Sequence, residues 1–325
     1  MTTKILVTGG AGFIGSAYVR HLLSPRAPQA VAVTVLDKLT YAGSLARLDA
    51  VRDHPGLTFV QGDVCDASLA DTLAAHHDEI VHFAAESHVD RSIADSGAFT
   101  RTNVLGTQVL LDAALRRGVR TFVHISTDEV YGSLPYGAAR ESDPLLPTSP
   151  YAASKAASDL MALAHHRTHG LDVRVTRCSN NFGPHQHPEK LIPRFLAGLL
   201  SGGTVPLYGD GQHVRDWLHV DDHVRAVELV RVSGRPGEIY NIGGGTSLPN
   251  LELTHRLLAL CGAGPERIVH VENRKGHDRR YAVDHSKITA ELGYRPRTDF
   301  VAALADTVKW YERHEDWWRP LLAAT

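Results

Sequence analysis

Tyr151 and Lys155 stand four residues apart, so on a helix both side chains project from one face. A free phenol titrates near ~10 and is a poor base at neutral pH. A neighbouring ammonium favours the phenolate and lowers the barrier to proton abstraction. Taken alone the spacing is common, and an exposed helical pair is its ordinary meaning. Ser126-Thr127-Asp128-Glu129 adds two adjacent acids, which in a loop are usually solvated charge. At the mouth of a binding crevice they become one acid and one base. An elimination requires both: a proton leaves carbon, and hydroxide leaves as water.

A carrier site precedes these groups in the chain. Ile5-Leu6-Val7-Thr8 runs into Gly9-Gly10-Ala11-Gly12-Phe13-Ile14-Gly15, which satisfies both Gly-x-x-Gly-x-x-Gly and Gly-x-Gly-x-x-Gly. Glycine there permits a tight strand-to-helix turn and close backbone approach to a pyrophosphate, which meets unpaired N–H groups at the helix start. Asp37 ends the next strand, about 20 residues on, where a carboxylate accepts hydrogen bonds from an adenosine ribose. It would repel a 2′-phosphate, so NAD is expected rather than NADP, an argument that Lys38 softens slightly. Asp63 either meets the adenine amino group or caps the helix after it. Ala84-Ala85 close a fourth strand and leave room for a ligand, ahead of Glu86-Ser87-His88.

The elements that must hold these groups follow from the pattern. Strands are expected at Ile5–Thr8, Val31–Leu36, Leu57–Gln61, Ile80–Ala84, Thr121–Ser126 and Val173–Arg177, with helices near 14–23, 67–75, 98–117 and 151–168. This alternation reads as an α/β fold, a Rossmann-type doubly wound parallel sheet. After Arg177, loops at Asn181–Pro188, Tyr208–Gln212 and Gly243–Pro249 separate helices near 190–200, 221–231, 250–261 and 300–313. Two lobes are therefore expected: an NAD-binding domain over 1–177 and a smaller C-terminal α/β substrate lobe over 178–325, a segment of which rejoins the sheet.

Composition narrows the class. Lys and Arg number 34 against 36 Asp and Glu, so nucleic acid is not an expected partner. Cys65, Cys178 and Cys261 lie far apart and read as reduced thiols, and no apolar run reaches membrane-spanning length. Met1-Thr2-Thr3-Lys4 leads straight into a strand without a signal peptide, so a cytoplasmic protein is expected. His185 and His187 flank Gln186 beside two prolines and read as a plain loop; no metal is expected.

The motifs carry a resemblance along nearly the whole chain. Thr8–Gly15, Phe83–Ser92 (Phe-Ala-Ala-Glu-Ser-His-Val-Asp-Arg-Ser), Ser126–Gly132 and Ser149–Lys155 resemble the dTDP-glucose 4,6-dehydratases, members of the extended short-chain dehydrogenase/reductase family. Ser179-Asn180-Asn181, Arg215-Asp216-Trp217 and Gly276–Tyr281 do so too. Thr127-Asp128-Glu129 is the most specific element, since related epimerases and decarboxylases generally lack the acid pair.

The resemblance implies a cycle. Tyr151 takes the proton of the sugar 4-hydroxyl as hydride leaves C4 for NAD, Lys155 holds the nicotinamide ribose, and Thr127 hydrogen-bonds the 4-oxygen. Glu129 removes the C5 proton made acidic by the new ketone, Asp128 protonates the departing 6-hydroxyl, and the hydride returns to C6. NAD contacts implied are Gly9, Gly12, Phe13, Ile14 and Gly15; Asp37, Lys38, Leu39 and Thr40; Asp63 and Val64; Phe83, Ala84, Ala85, Glu86 and Ser87; and Thr102 and Asn181, beside Tyr151 and Lys155. For dTDP-glucose they are Ser87, Thr127, Asn180, Lys190 and Leu191; Pro206, Leu207 and Tyr208; Arg215 and Asn250; and Asn273, Arg274, Lys275, Gly276 and His277. Arg215 and Arg274 suit a diphosphate, which a guanidinium grips with two parallel bonds.

Asn273 and Lys275 stand where many relatives have Asp and Pro, and Phe182 replaces a frequent Tyr. With a short Glu129-to-Tyr151 segment, these departures resemble the antibiotic deoxysugar branch. A homodimer is implied through the helices near 98–117 and 151–168, where Ala152, Ala153, Ala156 and Ala157 allow close packing. A sugar-nucleotide 4-epimerase or decarboxylase is the first alternative, and Asp128 counts against it. A catalytically silent NAD-binding regulator is the second, and the intact set Tyr151, Lys155, Asp128 and Glu129 counts against that.

Overall fold

The computed structural model describes residues 2–25 and 30–323. The first six strands are β1 (Thr3–Thr8), β2 (Val31–Asp37), β3 (Leu57–Gln61), β4 (Glu79–His82), β5 (Thr121–Thr127) and β6 (Val173–Cys178). They are rich in β-branched residues, and all but β3 at the sheet edge are largely buried, the pattern of a central parallel sheet. Four shorter strands follow as β7 (Asn180–Phe182), β8 (Val205–Tyr208), β9 (Val214–His219) and β10 (Ile239–Ile242). β11 (Ser247–Pro249), β12 (Ile268–Val271) and β13 (Arg280–Tyr281) complete the set.

The main sheet has the order β10-β6-β5-β4-β1-β2-β3, and every pair in it is parallel. The winding direction reverses between β1 and β4. Loops leaving neighbouring strands there turn to opposite faces and open a crevice at the strand carboxyl ends. Two apolar cores, one on each face, seal the sheet, while a third forms around Phe182, Phe195, Trp217, Phe300 and Trp318 away from it. That third core lies under a small sheet in which β9 pairs with β7, β11 and β13.

Helices α1 (Phe13–Leu22), α2 (Ala67–Ala74), α3 (Val89–Ala94), α4 (Gly97–Phe99), α5 (Gly106–Arg117) and α6 (Pro150–His169) belong to the first half. The second contributes α7 (Leu191–Leu200), α8 (Val220–Ser233), α9 (Asn250–Leu260), α10 (Ser286–Leu292), α11 (Phe300–Arg313) and α12 (Glu315–Ala323). Ser149 caps α6 by accepting from the Ala152 N–H, Pro150 sits in its first turn, and Gly170 ends it at φ 73°.

Several expected boundaries shift. The fourth strand stops at His82, so Phe83 and Ala84 belong to the loop; His82 turns its ring inward, 2.7 Å from Thr8 Oγ1, and the chain then leaves the ladder. The helix expected near 98–117 is α4 and α5 joined by a π-helical stretch, Thr100–Leu105. The loops expected at Asn181–Pro188 and Gly243–Pro249 contain part of β7 and all of β11, because β9 offers both a partner edge.

Candidate active site

The glycine turn joins β1 to α1 at the reversal point. A side chain on Gly9, at φ 69°, would run into the backbone of Ala84, and one on Gly15 would overlap the Gly9 carbonyl oxygen. No side chain caps α1, so its first N–H groups face the crevice, a fit for a pyrophosphate. Asp37 Oδ2 accepts from Ala11 N at 2.9 Å and Oδ1 from Leu39 N at 2.8 Å, which fixes the carboxylate and leaves lone pairs for a ribose. Lys38 is drawn aside by Asp63, Nζ to Oδ2 2.8 Å, which removes much of its argument against NAD. Asp63 does not cap the next helix; Asp66 does, accepting from Ser68 and Leu69.

A cleft over this turn is walled by Gly9, Gly12, Asp37, Lys38, Thr40, Asp63, Val64, Phe83–Glu86 and Thr102. Gly43 and Ala42, absent from the sequence reading, also line it. The π stretch aims Thr102 at the cleft and turns Asn103 inward. Asn103 Oδ1 accepts from Glu86 N at 2.8 Å, and its Nδ2 donates to Glu86 O and to Ser154 Oγ, tying the cleft wall to α6. Leu39 adopts φ 57°, and Phe13 and Ile14 pack partly on the core. Asn181 points elsewhere, its Oδ1 accepting from His223 Nδ1 at 2.9 Å.

The reactive groups sit at the carboxyl end of β5 and in the first turns of α6. β5 delivers Thr127 at its carboxyl end, and a 3₁₀ turn, Asp128–Tyr131, carries the acid pair. Thr127 Oγ1 donates to Asp128 Oδ1 at 3.3 Å and accepts from Glu129 N. Asp128 is 3% exposed; burial, then the Glu129 and Asp216 carboxylates, push its carboxyl well above the ordinary range, which favours its protonated form. Burial also raises Glu129, but Arg274, Arg215 and Lys190 pull the other way, so it gives up its proton more readily than burial alone would allow. The two environments differ as an acid and a base require.

Lys155 differs from expectation. Its Nζ donates to Ile125 O at 2.7 Å, and burial pulls the ammonium down to about 8. The strongest influences on Tyr151 are burial and then the Glu129 carboxylate, which hold the phenol well above its ordinary value while the Thr127 hydroxyl works against them. The protein by itself thus favours the neutral phenol, through burial first and the Glu129 carboxylate second.

A second cleft opens beside Glu129 and is lined by Ser87, Asn180, Lys190, Leu191, Pro206, Leu207, Tyr208, Arg215, Asn250, Arg274 and His277. It draws on the β4 loop, β7, β8, β9 and the starts of α7 and α9. Lys190 Nζ donates to Ser87 O at 2.6 Å. Arg215 is buried and donates to Asp278 O at 2.9 Å, while Arg274 pairs with Asp90 at 3.4 Å. Asn273, Lys275 and Gly276 are exposed; Asn273 bridges the stacked rings of His213 and His277. Sequence reading missed Asp90, Glu189 and Tyr281 in this wall. Each adjoins or lies inside a motif it did use, the only signal available for them.

Comparison with known proteins agrees with this geometry. The family model described as GDP-mannose 4,6 dehydratase matches residues 6–307. A dTDP-glucose 4,6-dehydratase of Streptomyces antibioticus is 62% identical over 322 residues, covering 98% of this chain and 95% of that protein. One from Streptomyces griseus is 61% identical over 324 residues, covering 100% and 98%. The crystal structure of the Streptomyces venezuelae dTDP-glucose 4,6-dehydratase with NAD bound matches at TM-score 0.97 and 58% identity, covering 98% of this chain and all of that one (100%). A Thermotoga maritima UDP-glucose 4-epimerase matches at TM-score 0.89 and 30% identity, covering 96% and 100%.

Proposed function

This chain belongs to the dTDP-glucose 4,6-dehydratase family, and from that premise we propose that it converts dTDP-glucose to dTDP-4-keto-6-deoxyglucose with NAD as a recycled cofactor. The observation that carries this reading is the buried acid pair at the end of β5. Burial and two neighbouring carboxylates favour the proton on Asp128, and three cations face Glu129, beside a phenol and a lysine. An epimerase has no use for the acid.

The residues divide the work. The glycine turn and Asp37 hold NAD, with Asp63, Thr102 and the Phe83–Ser87 loop around it and Lys155 at its nicotinamide ribose. When bound, NAD supplies a two-electron store that takes hydride from one sugar carbon and returns it to another, and its positive ring favours the Tyr151 phenolate. Tyr151 accepts the proton of the sugar 4-hydroxyl, and Thr127 steadies the 4-oxygen. Glu129 takes the C5 proton, and Asp128 gives its proton to the departing 6-hydroxyl, which leaves as water; once hydride is returned to C6, C5 regains a proton. Arg215 and Arg274 grip the diphosphate, and Lys190, Asn180 and Tyr208 orient the sugar nucleotide.

The two lobes divide at residue 177, with β10 lent back to the sheet by the second. We place the enzyme in the cytoplasm, in deoxysugar biosynthesis of the antibiotic type, a setting supported by its likeness to Streptomyces relatives. No helix among the described residues is long and apolar enough to cross a membrane. Incubation with dTDP-glucose and NAD tests the reading. The product should be lighter by one water; unchanged mass with an inverted C4 would favour the epimerase, and no product at all the silent regulator.

A further inference from the structure

Beneath Lys155 lies an ionic cluster that the reaction scheme leaves unused. Asp159, one turn further along α6, is fully buried. Its Oδ2 accepts from Arg177 Nε at 2.9 Å, and its Oδ1 lies 3.3 Å from His124 Nε2. Arg177, on β6 and 2% exposed, donates Nη1 to the Tyr131 hydroxyl at 2.9 Å, and that hydroxyl donates to Asn241 Oδ1 at 2.8 Å. Tyr131 closes the turn that carries Asp128 and Glu129, so the cluster touches both halves of the catalytic apparatus.

The charges around Lys155 come from every element packed against it. On β5, burial pulls His124 down to about 4, so it is neutral near pH 7. On β4, fully buried His82 is lowered too. On β6, the Cys178 thiol is pushed up to about 12 by burial and stays neutral. On α6, Tyr151 is held as the phenol. Two cations, Lys155 and Arg177, therefore depend on one carboxylate. Against burial, the His124 and Arg177 contacts keep Asp159 ionised. Arg177 takes the direct contact, whereas Lys155 bonds a neutral carbonyl. After burial, Asp159 is the strongest influence on Lys155, and it acts to keep the ammonium. A buried ammonium with no counter-charge sheds its proton.

We propose that Asp159 is a positioning residue for the oxidation step, its buried carboxylate, shared with Arg177, keeping Lys155 cationic beside Tyr151. This rests on the roles given above to Tyr151 and Lys155. It makes Arg177 a partner in that role: removing the carboxylate charge, or the guanidinium that helps keep it ionised, weakens the hold on the Lys155 proton.

The test is the pH dependence of kcat/KM for dTDP-glucose with the NAD-loaded enzyme. Its alkaline limb belongs to the loss of the Lys155 proton. Asp159→Asn should move that limb to lower pH by about one unit, Arg177→Gln should move it the same way, and Asp159→Glu should restore it. A merely structural pair would lower the rate and leave the limb in place. Should Asp159→Asn fail to fold, Arg177→Gln decides alone: a downward shift supports the proposal, and an unmoved limb overturns it. Lys155→Met separates this from the underlying reading. If that variant keeps the limb, the role of Lys155 itself falls. If it abolishes the limb while Arg177→Gln leaves it in place, only the role of Asp159 falls.

Discussion

Asp128 is a carboxyl kept from water and set against two further carboxylates, Glu129 and Asp216. Its proton affinity in the fold is raised above that of the unfolded chain. Such a group adds stability that is fully present at low pH and is lost as pH rises through its folded value. Asp128→Asn keeps the shape and the bond from Thr127 but cannot ionise. Melting temperatures of the two proteins should coincide at acidic pH, and the variant should become the more stable as pH rises toward neutral and beyond, while losing turnover. Equal melting across the range would mean that Asp128 is not under this strain. The residues doing chemistry were legible because each lies in a short run whose spacing has a mechanical meaning: Tyr151 with Lys155, Asp128 with Glu129, Gly9 with Gly12 and Gly15. Asp159 and Asp216 were not read this way. Their importance comes from burial and from charges on other elements, and neither can be seen along the chain.

The decisive junction among the elements is the turn from β1 to α1. Gly15→Ala would press a methyl group onto the Gly9 carbonyl oxygen within a turn already held against Ala84. Relieving that overlap should cost about 1–3 kcal/mol of stability. It should also shift the α1 N–H groups, so a titration should show NAD affinity falling with the melting temperature. Unchanged affinity in a destabilised protein would place the pyrophosphate elsewhere. The long strands and helices of the first half were legible because their apolar runs are continuous and their ends are marked, as at Ser149, Pro150 and Gly170. The second half was read mostly as loops between helices. β7, β11 and β13 are two or three residues long and form only because β9 offers them an edge. No alternation develops over so short a span, so nothing local announces them.

At the scale of the whole molecule, α5 with its π-helical lead and α6 present an outward face. Of the small residues expected there, Ala152 and Ala156 turn inward and are buried, because Ser149, Ala152 and Lys155 follow the core side of α6. Ala153 is exposed and Ala157 half-buried, with Leu160 at 58% exposure, and Leu105 at 43% lies on the neighbouring helical stretch. Two copies joined here would bury those leucines on a two-fold axis. Sedimentation should find a dimer, and Leu160→Arg should shift it toward monomer; a monomeric native protein would contradict this assembly. The central claim concerns the reaction, and it makes hydride travel within one sugar. The most direct measurement is to supply dTDP-glucose carrying deuterium at C4 and to locate the label in the product by mass spectrometry and NMR. The account predicts a product that has lost one water and carries the deuterium at C6. Deuterium left at C4, or lost to solvent, or a product of unchanged mass, would contradict it.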